Sequence, residues 1–226
     1  MRTNKEYKNA ALARLDGNWK PAVLATLVYL LIVMVFAGAY QAPAFLNPAM
    51  PTAPESMGFL LGIGGASLLV GIFLFYPLEV GYHNSMRILY ERRDYDSTRN
   101  MFDIFKSNYL HKVAGMFLMN LKVLLWTFLF IIPGIVMAFA YAMTPYILEE
   151  HPEISAWDAS ARSREMMKGH KFDLFYLYLS FIGWALLAIV TLGIGFLWLS
   201  PYVDAAKAAF YNDLKAECGE LAPTGE

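Results

Sequence analysis

The sequence predicts an all-α protein, a polytopic transmembrane helical bundle of six helices arranged as three hairpins, with short amphipathic helices at the membrane surface. Three observations carry this. Hydrophobic residues make up 58% of the chain and charged residues only 16%, against roughly 25% charged in ordinary soluble domains. Residues 22–40 and 57–78 contain no charge, and about twenty apolar residues suffice to cross a bilayer core of about 30 Å. The 18 Lys and Arg residues are confined largely to the segments between the apolar runs.

Residues 1–20 carry Arg2, Lys5, Lys8, Arg14 and Lys20. Short segments rich in Lys and Arg stay on the cytoplasmic side, so the amino-terminal segment is expected inside. It is polar for about twenty residues and includes Asp16, Gly17 and Asn18, a poor fit to the short basic start of a cleaved signal peptide. Residues 21–40 and 57–80 then form a first hairpin. Their connection, QAPAFLNPAMPTAPES at 41–56, has no Lys or Arg and is expected outside.

Arg87, Arg92, Arg93, Arg99, Lys106 and Lys112 mark a return to the cytoplasmic side over residues 91–110. Within it, NMFDIFKSNY (100–109) sets Phe102, Phe105 and Tyr109 on one face, the pattern of a helix lying on a membrane surface. Residues 113–148 form the second hairpin if the chain turns at Pro133 and Gly134. A single tilted span kinked at Pro133 is the alternative. The hairpin is preferred because it keeps Arg162, Arg164, Lys168 and Lys171 inside. Residues 152–171 form a second surface helix, with Asp158 and Arg162 four apart.

Residues 172–203 make the third hairpin, turning at 191–195 where Gly193 and Gly195 sit, and residues 204–226 are a cytoplasmic tail. Glycine adopts turn conformations that other residues resist, and proline lacks a helical donor. Pro77, Pro145 and Pro201 each end an apolar run and precede a polar extension, a weak threefold repeat.

Lys122 is the first candidate for function, since a charge within a bilayer is expensive and needs a partner or a route to water. It either snorkels along its flexible stem or pairs with Asp204 of a neighbouring hairpin. Glu79, His83 and Arg87 recur every four residues and line one helix face, which reads as a polar face meeting water or headgroups. Glu and His together are too few ligands for a zinc site. His151 among Glu149, Glu150 and Glu153 reads as a solvated turn. His170 beside Lys168 and Lys171 reads as a basic cluster able to touch anionic headgroups.

ARLDGNWKPAVLATLVYLL, LFIIPGIVMAFAYAMTPYIL and, most specifically, MKGHKFDLF, LSFIGW and TLGIGFLWLSPY in that order resemble the domain of unknown function 975 family, bacterial integral membrane proteins. The resemblance implies a multi-span protein of the bacterial plasma (inner) membrane and brings no catalytic residue. The chain is similar, more loosely, to the membrane domains attached to some glycerophosphodiester phosphodiesterases, but carries no hydrolase domain.

No nucleophile elbow, His-Glu-x-x-His, phosphate loop or dinucleotide fingerprint is present. The glycine-rich GIGGAS at 62–67 lies within an apolar run and suits helix packing. The lone Cys218 excludes an internal disulfide. A non-enzymatic protein without metal or cofactor is expected. Its partners are membrane lipids, a second copy or another membrane protein, and not nucleic acid. The alternative is a small transporter or channel subunit using Lys122 and Asp204.

Overall fold

Apolar periodicity and capping residues produce helices throughout, and the described residues hold no strand. The computed structural model describes residues 1–46, 62, 65, 66, 69–92, 96–106 and 108–219. Helix α1 (Asn4–Leu15) starts on a capping box in which Thr3 and Glu6 satisfy each other's backbone donors. It ends at a turn where Gly17 takes φ +79°. Helix α2 (Trp19–Leu46) runs 28 residues, about 42 Å at 1.5 Å per residue. It thus continues six residues into the segment expected to be a loop. The rest of that segment, 47–56, and half of GIGGAS lie outside the described residues.

The return arm is described from 69 onward, where a π-helical turn (Gly71–Phe75) enters α3 (Tyr76–Arg92). The ring pairs Phe36–Phe75 at 5.6 Å and Tyr29–Tyr82 at 5.0 Å run in opposite chain order, so α2 and this arm are antiparallel. A short helix, α4 (Ser97–Asp103), capped by Asp96, precedes α5 (Tyr109–Leu129). The surface helix expected over 100–109 is therefore shorter and shifted: Ile104 already starts a turn.

Phe130 is extended (φ −158°, ψ 137°) and reverses the chain into α6 (Ile131–Ala140). This corrects the turn expected at Pro133 and Gly134. Pro133 is the third residue of α6, where its missing N–H is one that the first helical turn leaves unpaired anyway. Gly134 serves close approach instead, since a Cβ there would lie 2.6 Å from Thr127 Cα. After a turn at 141–143, α7 (Thr144–Glu150) continues the same arm. Thr127 against Gly134, Gly115 against Leu148, and Lys112 against Glu149 (2.6 Å) fix the antiparallel register along its whole length.

Helix α8 (Ala156–Met166), capped by Ser155, lies across this hairpin. Its Ser163 hydroxyl donates to Ala140 O and accepts from Met143 N. Helices α9 (Lys171–Leu179) and α10 (Ile182–Val190) form one arm of the last hairpin, and α11 (Phe196–Glu217) the other. Between them Leu192 and Gly193 take φ +54° and +87°. A Cβ on Gly195 would sit 2.8 Å from Ala188 Cα, and Phe181 meets Tyr202 edge-on at 5.0 Å.

Among the described residues three stretches are long and apolar enough to cross a membrane: Trp19–Phe36, Ile131–Glu150 and Lys171–Val190. Six were expected. The partner arms fall short because α5 carries Lys112, Asn120 and Lys122, the apolar part of α11 ends at Asp204, and residues 57–68 are mostly outside the described set.

The molecule divides into two halves. At the base, α11 buries Ala205, Ala206, Ala208, Ala209, Phe210 and Leu214 against α1 and α3. The small alanines let the backbones approach, and larger side chains such as Leu89 and Met86 each contribute about 1.5–3 kcal/mol by leaving water. The hairpin ends, in contrast, present large apolar side chains outward, including Phe128, Ile132, Val190 and Leu192.

Candidate functional site

The base is laced with ion pairs that tie helices distant in sequence. Arg87, 9% exposed, donates through its guanidinium to Asn84 Oδ1, Glu91 and Glu150. Glu150 also accepts from Tyr211 Oη at 2.7 Å and Lys215 Nζ at 2.8 Å. One carboxylate at the end of α7 thus joins α3 to α11. At the outer edge, Arg2 meets Asp213 at 3.2 Å and donates to Tyr90 Oη at 3.0 Å. Tyr7 Oη donates to Asp213 Oδ2 at 2.9 Å, and burial together with that carboxylate pushes the phenol's pKa up. The terminal ammonium of Met1 pairs with Glu217, so both ends of the described chain share one face.

Above this base, where α2, α3 and α11 converge, lies a polar cleft. Its cavity of about 240 Å³ is lined by Thr26, Tyr29, Glu79, His83, Ser200 and Asp204, among others. His83 stands between two carboxylates: Nδ1 is 3.1 Å from Asp204 Oδ1 and Nε2 is 3.9 Å from Glu79 Oε1. Tyr82 shares a 2.9 Å hydrogen bond with Thr26 and stacks on Tyr29. Beneath, Tyr146 packs against the His83 ring at 5.9 Å and stacks on Tyr211 at 4.9 Å. The buried Lys207 ammonium sits 5.3 Å over Tyr146.

Chemically, this is an imidazole flanked by two carboxylates and faced by phenols and hydroxyls. It can hold a cationic group against Glu79, Asp204 and the Tyr29 face, or pass a proton between the carboxylates through His83. Among the described residues no three His, Cys, Asp or Glu side chains converge as a metal site.

The structure brings together Asp204, Glu79 and His83 and leaves Lys122 elsewhere. Lys122 donates to Ser160 Oγ at 2.5 Å and lies 3.6 Å over the Trp157 ring, with Tyr141 at 5.6 Å. The Asp204–Lys122 pair, one of the two alternatives for Lys122, does not form: Lys122 is on the α5 face covered by α8, and Asp204 faces α3. In the Glu79–His83–Arg87 stripe α7 and α11 cover His83 and Arg87, while Glu79 keeps 39% of its side chain exposed at the mouth of the cleft. His170 is held by Asp173 (3.1 Å) and Glu217 (3.2 Å) rather than presented to headgroups. His151 pairs with Glu153 in an exposed turn.

Pro77 lies just after the π turn, two residues before Glu79; Pro145 opens α7; Pro201 sits inside α11. Sequence reasoning did not identify Tyr82, Tyr146 or Lys207, and it placed Glu150 in a solvated turn, whereas the structure packs that carboxylate against Arg87, Tyr211 and Lys215. Only Lys207 had a usable signal: it lies three residues after Asp204 in the alanine-rich DAAKAA, and small residues mark close helix packing.

A second, apolar groove of about 390 Å³ opens on the last hairpin, lined by Leu12, Trp19, Trp184, Thr191 and Trp198 among others.

No curated protein and no solved structure matches the chain. Residues 128–218, from the end of α5 through α11, match the family described as protein of unknown function (DUF975). The stretch ARLDGNWKPAVLATLVYLL falls outside that match. Over residues 128–218 the chain is thus similar to this family.

Proposed function

We propose that the chain is a non-enzymatic integral protein of a bacterial plasma membrane. Its three hairpins insert from the cytoplasmic side, both termini remain there, and it works by binding membrane lipid or a membrane-protein partner. The observation that carries this reading is the division of the molecule. Charged groups are paired and packed in the base, while residues 123–148 and 174–203 contain no charge and at their tips turn large side chains such as Phe128, Ile132, Val190 and Leu192 outward. A patch of that size in water is an association or membrane surface. The tryptophan-lined groove supports an acyl chain as ligand, and the cleft at Glu79, His83 and Asp204 supports a headgroup.

The test is fractionation of cells followed by alkaline carbonate washing. The protein stays with the membranes if the reading holds and is released if it does not. Mass spectrometry of gently purified protein then reads bound lipid.

A small transporter or channel subunit is the second reading, favoured by the His83–Asp204 contact beside a cavity. It now rests on Asp204, Glu79 and His83 and not on Lys122. In liposomes, Asp204→Asn would abolish flux of ions or amines while Lys122→Met would leave it intact. Absence of flux in the parent protein with the cleft accessible returns the assignment to binding.

A further inference from the structure

We propose that the second and third hairpins are re-entrant: they enter the bilayer from the base side and turn back inside its hydrocarbon, and only the first hairpin crosses. This rests on the membrane reading above and changes its topology.

The depth of each hairpin is set by where charge last touches it. On the second hairpin that point is Lys122, held by Ser160 and Trp157 of α8 and lying beside Tyr141. On the third it is Lys8 of α1, which donates to Ser180 O and lies 4.5 Å over the Phe181 ring. Both contacts fall at breaks in the helices. Tyr141 lies in the turn between α6 and α7, and Ser180 and Phe181 separate α9 from α10. Asp204, at the His83 cleft, marks the same level on α11, two residues beyond the Tyr202 that meets Phe181.

Beyond those points stand α6, of 10 residues, and α10, of 9, with the facing ends of α5 and α11, and beside the third tip Leu12 of α1 and Trp19 of α2 line one groove with Thr191 and Trp198. At 1.5 Å per residue these reach about 15 and 14 Å, half of a core of about 30 Å. The apolar stretches Ile131–Glu150 and Lys171–Val190 are long enough in sequence, but each is broken midway; below the break α7 is buried in the charged base, and α9 turns Phe172 and Tyr176 outward. Helix α2 has no such break and is long enough to cross.

The tips have the composition of a lipid contact. Phe128 is 92% exposed, Ile132 76%, Val190 77% and Leu192 94%, and no charged residue accompanies them. The backbone of the third tip is also prepared for hydrocarbon, where an unpaired amide costs several kcal/mol in order of magnitude. Every amide from 191 to 198 finds an acceptor within the tip itself, Gly195 N using the Thr191 hydroxyl. The second tip is less complete: Phe130 N donates to Trp126 O, Gly134 N donates to Phe130 O and Pro133 has no donor to satisfy, while α6 starts with no capping side chain for the amides of Ile131 and Ile132.

The test uses Cys218→Ser protein with one new cysteine in each variant: Phe128→Cys, Leu192→Cys, Ser163→Cys on the base side, and Asn47→Cys in the segment that the sequence assigns to the far side. A membrane-impermeant maleimide is applied to intact cells, to inverted vesicles, and after denaturation in SDS. Re-entry predicts that the two tip cysteines react only in SDS, Asn47→Cys in intact cells, and Ser163→Cys in vesicles or SDS alone. Labelling of either tip in intact cells overturns the proposal and restores crossing hairpins. Failure of the membrane reading looks different, because the protein then leaves the membrane fraction on carbonate washing. If a tip cysteine prevents folding, Trp126 kept as the sole tryptophan in vesicles of brominated phospholipid gives the same answer. Strongest quenching by bromines near the chain ends supports re-entry, and quenching only near a headgroup refutes it.

Discussion

Replacing Gly134 by alanine puts the packing of α5 on α6 to a quantitative test. An added Cβ would lie 2.6 Å from Thr127 Cα and 2.8 Å from Thr127 Cβ. The first is backbone and cannot rotate away, so the arms must separate near their turn. Overpacking of this kind costs about 1–3 kcal/mol, and a clash with backbone places it near the upper end. Alanine regains about 1 kcal/mol of helix propensity over glycine, leaving a net loss of about 2 kcal/mol. Gly183 is the internal control: it lies in α10, and a Cβ added there would meet nothing within 4 Å, so Gly183→Ala stabilises by up to about 1 kcal/mol. Unfolding of detergent-solubilised protein by SDS or urea reads both variants. Adding Thr127→Ala to Gly134→Ala recovers only part of the loss, because the clash with the residue 127 backbone persists. A Gly134→Ala protein as stable as its parent would refute the close approach and the hairpin built on it.

Glu150→Ala removes the acceptor shared by Arg87, Tyr211 and Lys215, leaves a nearly buried guanidinium with less than its full set of partners, and costs about 3 kcal/mol in the same unfolding assay. Tyr7→Phe gives up the hydrogen bond to Asp213, loosening α1 from α11 by about 1 kcal/mol, seen as faster proteolysis near the amino terminus. The phenol's folded pKa is raised, so its contribution is complete below the ordinary tyrosine value of 10.0 and is lost as pH climbs through the raised one. Tyr7→Phe therefore flattens the alkaline end of the stability profile; an unchanged profile would count against the buried neutral phenol. Trp157→Ala removes the ring beneath Lys122 and weakens α8 docking by about 1–2 kcal/mol, while any ligand bound at the His83 cleft is retained.

The sequence by itself determined the helical class and the uncharged runs. Those follow from composition and local order, which need no knowledge of contacts. It also pointed to the glycines that matter, though not to their uses: Gly134 marks a close approach, while Phe130 makes the reversal, and proline's tolerance in a first helical turn misled the placement. Tertiary structure alone decided that His83 meets Asp204 across 121 positions of sequence, that Lys122 turns to Trp157, and that Arg87 is buried. A stripe of Glu, His and Arg looks the same in sequence whether water or another helix covers it. Only the packing of α7 and α11 onto α3 converts it from a solvated face into the wall of a cleft, and only the helix breaks at 141–143 and 180–181 set how deep the hairpins can reach.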